Sequence, residues 1–91
     1  MRNYEITQIY RESSLESVKK EAAEILAKHS VTVSSQEDWG SKTLWHPLNG
    51  EMKGHYTLIQ CKTEPSIISK LEHEFHLNQN ILKTLIVRKD G

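Results

Sequence analysis

Cysteine is almost absent from this chain: Cys61 is its one thiol in 91 residues. That excludes an internal disulfide and any zinc site built on a cysteine pair. Its setting, Ile59-Gln60-Cys61, reads as a strand interior, where a small packed thiol is expected rather than a reactive one. Long apolar runs are missing too. No stretch approaches the roughly 20 apolar residues of a membrane-spanning helix, and the opening Met1-Arg2-Asn3-Tyr4-Glu5 lacks the hydrophobic region of a signal peptide. A cytoplasmic location without membrane contact is therefore expected. An excess of one charge is also lacking, since twelve Lys and Arg balance twelve Asp and Glu. A protein that grips nucleic acid unaided carries a basic excess, so RNA binding here calls for a local patch or a basic partner. There is no internal repeat and no low-complexity tract. A chain this short buries about 60 to 65% of its unfolded surface, and one domain over residues 1–91 with one modest core is expected.

What is present begins with a strand. Tyr4 to Tyr10 alternates apolar and polar positions, then enters the polar run Arg11-Glu12-Ser13-Ser14. Ser13 with Glu16 fits a capping box, which would satisfy orphan backbone donors at a helix start. Leu15, Val18, Ala22, Ile25 and Leu26 recur at helical spacing, with Glu16, Lys19, Lys20, Glu21 and Glu24 on the solvated face. Val31 to Gln36 opens a second strand that continues to Trp45, with Gly40 as a bulge. His46-Pro47 ends it, because proline cannot donate to a ladder. Asn49-Gly50 and Lys53-Gly54 mark the connection, and His55 to Lys62 is a third strand. Pro65 suits the first turn of a second helix with Ile67, Ile68, Leu71 and Phe75 as its buried stripe. Asn78-Gln79-Asn80 breaks that helix, and Ile81 to Lys89 is the last strand, after which the chain stops almost at once at Asp90-Gly91.

Strand, helix, strand, strand, helix, strand is the split βαβ, or ferredoxin-like, α+β arrangement: βαββαβ, with a four-stranded antiparallel sheet in the order 4-1-3-2 and both helices on one face. That topology brings Arg2, Lys62, Arg88 and Lys89 to one end of the sheet. The bare face should be polar, yet if Leu82, Thr84 and Ile86 point at the helices, Lys83, Leu85 and Val87 stand on the bare side. The two tryptophans, Trp39 and Trp45, fall in the hairpin block Glu37-Asp38-Trp39-Gly40 and Leu44-Trp45-His46-Pro47, where a small domain usually places polar turns. A protruding aromatic hairpin suits a partner.

Other chemistry finds little footing. His73 and His76 are spaced i, i+3, which misses the i, i+4 pairing of a zincin helix; His46 and His55 flank the hairpin connection with no cysteine or carboxylate to complete a site. Tyr10-Arg11-Glu12-Ser13-Ser14 offers one arginine but no glycine for a phosphate-cradling loop of the acylphosphatase kind. The basic-glycine-aromatic signature of an RNA-recognition module is missing from Gly54-His55-Tyr56-Thr57-Leu58-Ile59. No catalytic residue, cofactor, metal or small-molecule substrate is expected.

These blocks, in this order, resemble the bacterial ribosomal protein S six family along Met1 to Lys89. Met1-Arg2-Asn3-Tyr4-Glu5 is similar to the family's M-R-x-Y-E start. Glu37-Asp38-Trp39-Gly40, Leu44, Pro47-Leu48 and His55-Tyr56 look like its E-D-W-G, L-x-x-P-I and H-Y elements. Leu77-Asn78, Ile81-Leu82-Lys83 and Val87-Arg88 resemble its R-x-N-x-x-V-I-R and closing strand. The resemblance implies a structural protein of the small ribosomal subunit that binds ribosomal RNA together with ribosomal protein S eighteen as a heterodimer. On that reading Arg2, Lys42, Lys83, Arg88 and Lys89 are the candidates for phosphate contact. Tyr4, Trp39, Trp45, Leu85 and Val87 are candidates for packing or partner contact. Departures include Lys83 where the family commonly has arginine, which removes a bidentate fork, and Ser41-Lys42 where many relatives have two basic residues. Lys62-Thr63-Glu64-Pro65 is one residue longer than the usual approach to the second helix. The tail of many relatives is missing beyond Gly91, and its contacts are expected to be lost. The alternative is a regulatory or ligand-binding ferredoxin-like domain that self-associates through its sheet.

Overall fold

The structure, a computed structural model, describes residues 1–89; Asp90 and Gly91, read above as the end of the chain beyond the last strand, lie outside the described residues. The elements run β1 (Arg2–Tyr10), a 3-10 turn (Glu12–Ser14), α1 (Leu15–Lys28), β2 (Thr32–Leu48), β3 (Glu51–Thr63), α2 (Pro65–Leu77) and β4 (Ile81–Lys89). They form one sheet in the order β2-β3-β1-β4, which is the expected 4-1-3-2 read from the other edge. Every neighbouring pair is antiparallel.

Alternation in β1 sends Tyr4, Ile6 and Tyr10 to the helix side, where they meet Ile59 and Cys61 of β3 and Ile81 of β4. The α1 stripe closes over them with Val18, Ala22 and Leu26 buried, and α2 adds Leu71 and Phe75. Leu15, Ile25, Ile67, Ile68 and Ile86 pack around the rim of this core. Each large apolar side chain so buried contributes about 1.5 to 3 kcal/mol. Pro65 stands in the first turn of α2, as expected.

Several local expectations change. The Ser13 capping box does not form. Glu12–Ser14 is wound into the 3-10 turn, Leu15 becomes the first residue of α1, and no side chain caps either segment. The hairpin is longer than read, because its turn is Asn49-Gly50, both at positive φ (48° and 79°). That conformation suits a two-residue primed turn. Gly54 is therefore not in the connection but inside β3. Pro47 does not end β2: pairing breaks between Thr43 and Leu48, and the proline falls in that stretch, where no ladder donor is needed. Leu82 does not join Thr84 and Ile86 on the helix side. The register slips between Ile9 and Tyr10, whose partners are Lys83 and Ile81, so Ile81 takes the core position. The Gly40 bulge is present, with pairing skipping Trp39 and Gly40 at φ 78°.

Candidate partner and RNA interface

Directly opposed residues of an antiparallel pair share a face, so the register maps the side of the sheet away from the helices. Asn3 is flanked there by Lys62 and Lys89, Glu5 by Gln60 and Val87, Thr7 by Leu58 and Leu85, and Ile9 by Tyr56 and Lys83. The edge strand β2 adds Glu37 opposite Leu58 and Lys42 opposite Gly54. This face holds a second apolar group: Ile9, Leu44 and Leu58 are buried, yet they stand apart from the helix-side core. Gly54 makes it possible. A Cβ there would lie 2.3 Å from Ile9 Cγ2, 3.4 Å from Leu44 Cδ2 and 3.6 Å from Leu82 Cδ1. Beside this group Leu85 and Val87 remain 54% and 43% exposed, which is the bare apolar strip that the β4 pattern implied. Glu5 lies opposite Val87, whereas Glu37 stands across the sheet on the edge strand β2.

The long hairpin carries the aromatic surface. In β2, Leu44 is the one buried residue among seventeen. Trp45 is 90% exposed and meets His46 edge-on at 6.4 Å between ring centroids. Trp39 and Met52 are also exposed. Tyr4, by contrast, is buried in the helix-side core, and of the two roles expected for it the packing role is the one its position allows.

The five cations expected at RNA fall into two groups. Arg2, Arg88 and Lys89 share one end of the sheet with Lys62, as the topology required: Asn3 pairs with Lys89 and Lys62, and Tyr4 with Arg88. Arg2 and Arg88 lie on the helix-side face, Lys62 and Lys89 on the open one. Lys83 and Lys42 belong to the other end, about 20 Å along the strands from Lys89 at about 3.4 Å per residue. Lys89 Nζ is 3.5 Å from Glu5 Oε2, and Gln60 donates to the same oxygen at 2.9 Å. Those two donors hold the Glu5 carboxyl below its ordinary range, the Gln60 hydrogen bond being the larger cause.

Two polar clusters had no sequence signal of their own. On β2, Asp38 Oδ2 lies 2.5 Å from Lys19 Nζ of α1, while its Oδ1 accepts the Gly40 N–H at 3.0 Å and contacts His55 Nε2. Led by the Lys19 contact, these partners lower the Asp38 pKa to about 2. Ser41 donates to Glu12 nearby. Inside the sheet, the Tyr10 hydroxyl donates to Gln8 Oε1 at 2.5 Å and Gln8 Nε2 donates to Thr84 Oγ1 at 3.3 Å. Burial pushes the Tyr10 phenol up and raises the Cys61 thiol likewise. His73 and His76 are exposed on α2, and among the described residues no group of three or more His, Cys, Asp or Glu is placed to hold a metal.

The fold and its surfaces define a ferredoxin-like α+β protein whose candidate site is a sheet face and a hairpin rather than a catalytic pocket. The sequence model of the family Ribosomal protein S6 matches residues 3–88, and the chain belongs to that family. It is 53% identical over 91 residues to Small ribosomal subunit protein bS6 of Leptospira biflexa serovar Patoc, with all of both chains covered. Against the protein of the same name from Ruthia magnifica subsp. Calyptogena magnifica it is 31% identical over 94 residues, covering all of this chain and 83% of the other. The 30S ribosomal protein S6 of Thermotoga maritima superposes with a TM-score of 0.85 at 18% identity, covering 97% of this chain and 87% of that one. The C-terminal domain of the MgtC protein from Mycobacterium tuberculosis shares the fold at a TM-score of 0.65 and 12% identity, covering 98% and 88%. The chain is thus a structural, non-enzymatic protein of the small ribosomal subunit in the cytoplasm.

Proposed function

We propose that this protein binds small-subunit ribosomal RNA as a heterodimer with ribosomal protein S eighteen, each contributing part of the RNA surface. The observation that carries this reading is the open sheet face: an exposed apolar strip at Leu85 and Val87, flanked along β4 by Lys83 and Lys89, together with a hairpin that exposes Trp45 and Met52. A contiguous exposed apolar strip with a polar rim suits a protein partner. Arg2, Lys62, Arg88 and Lys89 at the sheet end, with Lys42 and Lys83 beyond, supply local phosphate contacts in a chain of zero net charge. Partner contact by Trp39, Trp45, Leu85 and Val87 completes the reading. Gel filtration of the chain alone and with S eighteen tests it. A monomer that shifts to a one-to-one complex supports it. A stable dimer of this chain alone, unchanged by S eighteen, would favour self-association through the sheet.

A further inference from the structure

Trp39 sits where the β2–β3 ladder skips a residue, and its presentation depends on how that bulge is held. Pairing passes from Asp38 opposite Thr57 to Gly40 opposite Tyr56, leaving Trp39 without a partner position and 48% exposed. Gly40 adopts φ 78°, which β-carbon sterics make costly for most residues. The local closure is an Asx turn: Asp38 Oδ1 accepts the Gly40 N–H at 3.0 Å. In an edge strand exposed nearly throughout, such a turn alone would be one conformer among several. Here it is clamped from two other elements, by Lys19 of α1 at 2.5 Å and by His55 of β3. Glu12, before α1, reaches Ser41 just beyond the bulge and ties the same segment down again.

We infer that Asp38 is a positioning residue for the partner surface: its carboxylate fixes the bulge that presents Trp39, and Lys19 and His55 fix the carboxylate. This rests on the proposed role of the hairpin in partner binding. Because Asp38 acts on the backbone through the Gly40 N–H, asparagine keeps the essential acceptor and alanine does not. A purely electrostatic clamp would instead treat the two substitutions alike.

The test compares Asp38→Asn, Asp38→Ala and Lys19→Met in the full chain, reading the Trp39 indole N–H resonance of the free protein and its affinity for S eighteen. Asp38→Ala is expected to move the resonance and to weaken binding about tenfold, in the range of one well-placed interface anchor. Asp38→Asn is expected to keep the resonance near its wild-type position and to bind within about threefold of wild type. Lys19→Met, which leaves the Asx turn in place but removes one of its two clamps, should broaden the resonance without abolishing it. An unmoved Trp39 resonance in Asp38→Ala would overturn the inference, as would equal losses in the Asn and Ala variants. Trp39→Ala separates this from the parent reading. If it binds S eighteen as wild type does, Trp39 is not a partner contact, whereas the resonance in the free protein still decides whether Asp38 holds the bulge.

Discussion

Gly54→Ala is expected to destabilise the fold although it adds a single methyl group on a strand. The added Cβ would stand 2.3 Å from Ile9 Cγ2, far inside van der Waals contact, and 3.4 Å from Leu44 Cδ2. Ile9 is β-branched and buried in the middle strand β1 between β3 and β4, so its χ1 has little freedom to yield. Overpacking of this kind costs about 1 to 3 kcal/mol. Gly54 is not in the left-handed region, and alanine there recovers roughly 0.4 to 1 kcal/mol by restricting the unfolded chain. With a rigid Ile9 the cost falls in the upper part of that range, and the net loss is about 1 to 2 kcal/mol, which lowers the urea midpoint by about 1 to 2 M at an m-value near 1 kcal/mol per M. Ile9→Ala, which removes the clashing methyl, isolates the cause. In that background Gly54→Ala should cost at least about 1 kcal/mol less than in the wild type. Equal losses in both backgrounds, or a Gly54→Ala variant as stable as wild type, would refute the packing of Ile9 over Gly54.

Trp45→Ala should leave the urea midpoint nearly unchanged, because the ring is 90% exposed, while weakening S eighteen binding about tenfold or more; a large fall in stability with unaltered affinity would assign the ring to the fold. Asp38 sits at about 2 when folded against an ordinary 3.8, so on acidification the unfolded chain takes the proton first. Its contribution is full above 3.8 and lost as the pH falls through about 2. Acid unfolding of Asp38→Asn should lack that part of the slope, and an identical slope would contradict the contact set. Arg2→Ala and Arg88→Ala should each reduce the salt slope of RNA binding by the partner complex by about one counterion, with coupled losses in the double variant if they serve one patch; two wild-type slopes would move the RNA surface elsewhere.

The core elements were legible because each buries one face. Tyr4 to Tyr10 alternates over a covered sheet, the α1 stripe of Val18, Ala22 and Leu26 has no competing face, and Pro65 and the Asn78 to Asn80 break punctuate α2. The hairpin was read short for the opposite reason. β2 is an edge strand exposed on both sides, so its composition carries little period, and Gly54 and Pro47 then look like turn residues. Gly54 is instead small because Ile9, Leu44 and Leu82 crowd it, and Pro47 is tolerated because no partner needs its N–H. The basic end of the sheet followed from topology, since strand direction alone brings Arg2 beside Arg88. The Asp38 cluster did not, because its partners lie 19 and 17 residues away in the chain and meet only once α1 and β3 are docked. Leu82 escaped as well: one slipped residue in the β1–β4 register reverses the face of a side chain.

The decisive measurement is a titration of the small-subunit RNA target with this protein alone and with S eighteen present, at one fixed salt concentration. Zero net charge leaves little counterion release to the chain by itself, so binding should be weak alone and much tighter once the partner is added. Tight, specific RNA binding by this chain alone, unchanged by S eighteen, would contradict a shared RNA surface.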